Sequence, residues 1–196
     1  MGLYYLRRRM KSFYKKDPFK EVFEDILSLS KEIEMDFNES NYSKDFGRFD
    51  IVFDFNEELH NKVLEVARQE FGIDDLEITY NQLTKYKIVD GHRPKLNGHI
   101  DKLPCTHTID LCVETTVPEW GLYVEESLFK DTPRSAVFLK GDEDNHGRPD
   151  YPSRSTEDYC LMLFINLAPK GFWALDIKKK LGNDLINSRY YPISLY

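Results

Sequence analysis

Between residues 19 and 33 the apolar positions fall at helical spacing, with Phe19, Val22, Phe23, Ile26, Leu27 and Ile33 on one face. Asp17-Pro18 stands just before them, an N-cap acceptor followed by proline at the first helical position, so the helix is expected to start there. A polar segment over 38–48 predicts a surface loop. A second helix is expected after Asn56, with Leu59, Val63, Val66 and Ala67 on one face and Gly72 as its stop. Beyond Asp75 the period changes to two, with Ile78, Tyr80, Gln82, Thr84 and Tyr86 on one strand face and Glu77, Thr79, Asn81, Lys85 and Lys87 on the other. Strand-like runs follow at 106–115, 121–125, 136–139 and 158–167, separated by Pro, Gly and acidic turns. Leu175, Ile177, Leu181 and Leu185 suggest a closing helix. The expected architecture is a single domain over 1–196, mainly β with flanking helices. It comprises a helical N-terminal part (1–74), a jelly-roll core (75–170) and a C-terminal helix or tail (171–196).

The 196 residues suffice for one full core. A net charge of -7 argues against general nucleic-acid binding, which needs a basic footprint. Arg7, Arg8, Arg9, Lys11, Lys15 and Lys16 make a local basic end that reads as a solvated surface. The three cysteines, Cys105, Cys112 and Cys160, form neither a C-x-x-C pair nor an even set, so a disulfide framework is not expected and a reducing, cytoplasmic setting fits. No apolar run approaches membrane-spanning length and no secretory pattern opens the chain, so no membrane association is expected.

Candidate chemistry concentrates in Leu96-Asn97-Gly98-His99-Ile100-Asp101. Side chains two apart on an extended strand share a face, so His99 and Asp101 present an imidazole and a carboxylate together. With the distant His146 they form a candidate 2-His-1-carboxylate set, which suits Fe(II) and leaves positions for substrates. His60 and His92 read as surface residues. His107 shares a face with Ile109, Leu111 and Val113 and reads as a core histidine. Asp142 to Gly147 begins like a calcium loop, but His146 replaces an oxygen ligand and Ser153 stands where the bidentate Glu belongs.

The order Gln82-x-x-x-Tyr86, Gly91, His99-x-Asp101, Trp120-Gly121-Leu122, Ala136-Val137-Phe138, His146-x-Arg148 and Leu163-Phe164 resembles the Fe(II)/2-oxoglutarate-dependent oxygenase superfamily, and most of all its prolyl-hydroxylase-like branch. The resemblance covers roughly the C-terminal two-thirds. It implies a double-stranded β-helix, with His99, Asp101 and His146 as iron ligands and with Fe(II), 2-oxoglutarate and O2 as cofactor and co-substrates. It also implies a cation for the far carboxylate of 2-oxoglutarate. Arg154, in Arg154-Ser155-Thr156, resembles the family's R-x-S/T element, whereas Asp158 occupies the place an arginine often takes. Arg148, two residues past His146, is the second candidate, and Tyr86 matches the family tyrosine that hydrogen-bonds the co-substrate. The implied reaction is hydroxylation of a small molecule or amino acid side chain, with release of succinate and CO2. An intact Asp101 favours hydroxylation, or a related oxidation, over halogenation. The alternatives are a cupin-type dioxygenase that does not use 2-oxoglutarate and a non-enzymatic jelly-roll binding module.

Overall fold

The computed structural model describes residues 12–101 and 105–172. The expected C-terminal helix, and most of the basic N-terminal end, lie outside the described residues. Among the described residues, eleven strands and two α-helices follow in chain order: β1 (Phe13–Lys16), α1 (Phe23–Glu34), β2 (Tyr42–Ser43), β3 (Arg48–Phe53), α2 (Glu57–Phe71), β4 (Leu76–Lys87), β5 (Leu96–His99), β6 (His107–Thr115), β7 (Gly121–Val124), β8 (Ser127–Lys130), β9 (Ser135–Leu139), β10 (His146–Arg148) and β11 (Tyr159–Pro169). They form a seven-stranded sheet in the order β1-β9-β6-β11-β4-β3-β2 and a four-stranded sheet in the order β5-β10-β7-β8. Every strand pairing is antiparallel. This is the expected jelly roll: from β4 to β11 the chain passes back and forth between the two sheets, with β7 and β8 forming a hairpin within the small one.

Three apolar clusters set the layers, one of them joining Leu122 and Val124 of β7 to Val137 and Leu139 of β9. On the outer face of the large sheet, Phe19 before α1, Phe23 and Ile26 of α1, and Leu59, Val63 and Phe71 of α2 pack on Leu83, Ile109, Leu111 and Leu163. On its inner face, Tyr86, Cys112, Cys160 and Met162 meet Trp120 and Tyr151, which come from the ends of the small sheet. The large sheet is therefore buried on both sides. Its central strand β11 accordingly reads as a near-continuous apolar run, and β6 is buried from His107 to Val113 despite its polar residues.

α2 is as expected: the Asn56 side chain accepts from the Leu59 amide, and Gly72 closes the helix in the left-handed conformation at φ 67°. The start of α1 differs. Asp17 sits at φ 55°, takes Nε of Arg134 at 2.9 Å and donates its own amide to the Arg134 carbonyl. Tied there, its side chain cannot cap a helix, and residues 17–22 form turns before α1 begins at Phe23. The part before residue 75 is also not purely helical, because β1, β2 and β3 extend the large sheet at both edges. In β4 the alternation holds from Tyr80 onward. An extra residue at Thr79, between the Ile78↔Leu167 and Tyr80↔Asn166 pairs, turns Ile78 to the helix side instead of the inner face.

His107 lies in the outer core, its ring edge-on to Phe71 at 4.9 Å, with Nε2 lacking a hydrogen-bond partner among the described residues. Burial, with Lys140 adding to it, pushes its pKa down to about 4. The unfolded chain titrates near 6.5, so between these values protons bind the unfolded state preferentially, and stability falls as pH drops from about 6.5 to about 4. His107→Phe is expected to flatten that acid limb. Urea unfolding at pH 7 and pH 4.5 reads this as a smaller loss of midpoint in the variant than in wild type, and equal losses would contradict it.

Candidate metal centre

β5 and β10 are antiparallel neighbours in the small sheet, and their register sets His99 directly opposite His146. Opposed residues in such a pair hold their Cβ atoms about 5 Å apart, within reach of one small cation. The two rings lie 4.4 Å apart, centroid to centroid. Asp101 follows β5 and directs Oδ1 at both imidazoles, 3.6 Å from His99 Nε2 and 3.4 Å from His146 Nε2. One ligand atom from each of the three lies within 4.8 Å of the others. Facial ligands around an ion with bonds of ~2.1 Å stand about 3 Å apart, so a modest contraction would close the set.

Each ligand is oriented from behind. Nδ1 of His99 bonds the Asn97 carbonyl at 2.9 Å, and Nδ1 of His146 bonds the Asp144 carbonyl at 2.9 Å. With Nδ1–H donated to a carbonyl, Nε2 carries the free lone pair, which is the tautomer a metal needs. The Asp144 carbonyl is presented by a turn over 140–145, closed where the Asp144 carboxylate accepts from the Lys140 amide. Asp101 donates its amide to the Gly141 carbonyl, and its Oδ2 accepts from Thr108 Oγ1 at 2.8 Å. Burial alone would raise the Asp101 pKa. The two imidazoles and the Thr108 hydroxyl outweigh it and hold the carboxyl well below the usual carboxylate range. The donor set, two imidazole nitrogens and one ionised carboxylate, fits a small divalent cation such as Fe(II).

The three residues line a cavity of about 400 Å³ with Phe46, Arg48, Tyr80, Gln82, Asp110 and Asn166. The other candidates from the sequence are not in its wall. Arg148 is fully buried beneath it, with Nη2 on both oxygens of Asp110 at 3.0 and 3.2 Å, Nη1 on Asp131, and its face over Trp120. Its fork is thus already filled by carboxylates. Removing one partner of such a buried pair typically costs about 3–5 kcal/mol, which marks Arg148 as part of the core. Arg154 is exposed on the loop before β11. Tyr86 is buried and edge-on to Trp120, and its hydroxyl accepts from Arg48 rather than facing the cavity. Sequence reasoning misses Arg48. The signal was present in the alternation of Arg48, Asp50 and Val52 with Phe49, Ile51 and Phe53, a strand inside the segment read as loop and helix.

No family model and no curated protein sequence matches this chain. Its fold and site define a double-stranded β-helix with a His-Asp-His centre, and the similar solved structures include non-haem iron, 2-oxoglutarate-dependent enzymes. SnoN, a non-haem α-ketoglutarate-dependent epimerase from nogalamycin biosynthesis, aligns with a TM-score of 0.60 at 10% identity, over 86% of this chain and 85% of SnoN. A second SnoN structure, with Fe3+, α-ketoglutarate and nogalamycin RO, aligns with a TM-score of 0.56 at 10% identity, over 86% of each chain. A Pseudomonas putida prolyl-4-hydroxylase aligns with a TM-score of 0.54 at 12% identity, over 82% of this chain and 93% of the hydroxylase. At such identities the likeness establishes the fold, and the chemistry rests on the site itself. No helix among the described residues is long and apolar enough to cross a membrane.

A side chain at Gly141 would collide with Asp101 Oδ2 and crowd the Cys105 carbonyl at 2.7 Å and Thr108 Oγ1 at 2.8 Å. Gly141→Ala is therefore expected to weaken divalent-metal binding about tenfold or more while far-UV circular dichroism stays unchanged. Calorimetric titration with Co(II) measures it, and unaltered affinity would contradict the seating of Asp101 described above.

Proposed function

We propose that this chain is an Fe(II)- and 2-oxoglutarate-dependent dioxygenase that hydroxylates a small molecule or an amino acid side chain, releasing succinate and CO2. The observation that carries the reading is the convergence of His99 Nε2, His146 Nε2 and Asp101 Oδ1 in the wall of one cavity, each ligand held from behind. Three protein ligands leave an iron's remaining positions for a chelating 2-oxo acid and O2, the chemistry the metal supplies when bound. His99 and His146 would ligate through Nε2, Asp101 through Oδ1, and Thr108 would keep the second oxygen of Asp101 turned away. A cavity of about 400 Å³ suits a co-substrate and a small organic molecule together. The three buried, unpaired cysteines suit a reducing, cytoplasmic setting.

One observation favours a second reading, a cupin-type dioxygenase without 2-oxoglutarate: neither Arg148 nor Arg154 stands free in the cavity to receive a far carboxylate. Anaerobic addition of Fe(II) and 2-oxoglutarate separates the two. The proposed function expects the weak visible charge-transfer band of the chelated complex in wild type and its loss in His99→Ala. Iron bound without a band would favour the cupin-type reading, and a folded wild type that binds no Fe(II) would contradict both.

A further inference from the structure

A 2-oxo dicarboxylate needs two grips, a metal for its 2-oxo acid end and a cation for its far carboxylate. Apart from the triad histidines, Arg48 is the one cationic side chain among the described residues that lines the cavity. It comes from β3, the strand hydrogen-bonded to β4 toward the edge of the large sheet, and Arg48 lies directly opposite Tyr86 in that pairing.

The side chain is held as a prepared site would hold it. Nε donates to Asp50 Oδ2 at 2.9 Å and Nη1 to the Tyr86 hydroxyl at 3.1 Å. The other oxygen of Asp50 accepts from Gln82 Nε2 at 2.8 Å and Thr84 Oγ1 at 2.7 Å, so the carboxylate that steers Arg48 is itself fixed on two sides. The guanidinium face lies 4.9 Å from the centre of the Phe46 ring, another residue of the cavity wall. A guanidinium carries five N–H donors, and these two bonds leave its outer Nη2 edge for a planar acceptor. At 16% side-chain exposure the charge is only partly hydrated, which strengthens its attraction for an anion. Burial opposes that charge, but the Tyr86 oxygen and Asp50 hold the group cationic.

The strand is also fixed relative to the metal ligands. Gly47, at φ 60°, packs its backbone directly against the Arg93–Pro94 peptide, where a side chain would collide. Lys95 donates its amide to the Phe46 carbonyl at 3.1 Å, and Lys87 donates to the Gly47 carbonyl at 3.3 Å. The segment 93–95 runs straight into β5 and His99, so the turn that carries Arg48 and the strand that carries a metal ligand are fastened together.

We propose that Arg48 holds the far carboxylate of a 2-oxo dicarboxylate bound at the His99–Asp101–His146 centre, an assignment that rests on the oxygenase reading above. Asp50 and Tyr86 act through Arg48 as positioning residues, and Gln82 and Thr84 brace Asp50. Arg148, already closed by Asp110 and Asp131, supports the floor of the cavity instead.

The test uses the full chain loaded with Co(II), a redox-stable stand-in for Fe(II), titrated calorimetrically with 2-oxoglutarate and with 2-oxopentanoate, which has the same chelating end but no far carboxylate. Wild type is expected to prefer 2-oxoglutarate by about tenfold or more, the scale of one charge-assisted hydrogen-bonded contact. Arg48→Gln should abolish that preference, with Co(II) and 2-oxopentanoate affinities held within about twofold, because neither touches the far carboxylate subsite. Arg48→Lys should restore part of it, since the charge returns without the planar fork. Because Arg48→Gln leaves Asp50 without its guanidinium, the double variant Arg48→Gln/Asp50→Asn repeats the measurement with a neutral network and should show the same loss. A preference that survives both variants overturns this assignment alone. Equal loss of both acids would also overturn it, by showing a structural role. A folded, Co(II)-loaded wild type that binds neither acid overturns the oxygenase reading and this assignment with it.

Discussion

The register of β5 against β10 is the constraint on which the site depends. It sets His99 opposite His146 on neighbouring strands. A slip of one residue would turn one imidazole to the other face of the sheet, so the centre exists only in this pairing. The small sheet is anchored to the large one by Leu122 and Val124 of β7, which pack with Val137 and Leu139 of β9. The register is fixed by backbone bonds on either side, as β10 also pairs with β7 through His146↔Val124. The carbonyls of Asn97 and Asp144 then aim each ring, and Gly141 lets Asp101 close the third side. The chemistry of the site is thus carried by main-chain geometry as much as by the three side chains.

Charge is distributed inside the jelly roll in a way that separates support from function. Asp110, Asp131 and Arg148 form a buried cluster in which one guanidinium faces two carboxylates. Burial raises the pKa of both acids, to about 6 at Asp110, against the lowering influence of Arg148. The excess of acid over base leaves this cluster with no attraction to spare for an anionic ligand. Arg48 faces Asp50 through a single Nε bond and keeps an open edge toward the cavity. The two arginines therefore differ because both Nη groups of Arg148 are taken by buried carboxylates, whereas Arg48 lines the cavity.

Much of this was legible in the sequence where local periodicity and burial agree. α2, with its Asn56 cap and Gly72 stop, and the long strands β4, β6 and β11 follow directly from pattern. The pairing of His99 with Asp101 was suggested by their spacing of two, and the structure brings both beside His146. What escaped depends on tertiary context. Asp17-Pro18 reads as a helix start, but the bond to Arg134, more than a hundred residues away, diverts Asp17 into a turn. β3 escapes notice because it begins inside the polar segment 38–48, and its apolar residues Phe49, Ile51 and Phe53 alternate with Arg48 and Asp50 over only six positions. Arg148 has the spacing of an inward-facing ligand group, and no local pattern announces that Asp110 and Asp131 close around it.

The proposed chemistry requires His99, Asp101 and His146 to act as one metal centre. The most direct measurement is anomalous diffraction at the iron edge from crystals of this chain grown anaerobically with Fe(II). A single peak ~2.0–2.3 Å from His99 Nε2, His146 Nε2 and an Asp101 oxygen is expected, as for imidazole and carboxylate ligation generally. Iron found elsewhere, or none in a cavity where the three side chains keep the positions described, would contradict it.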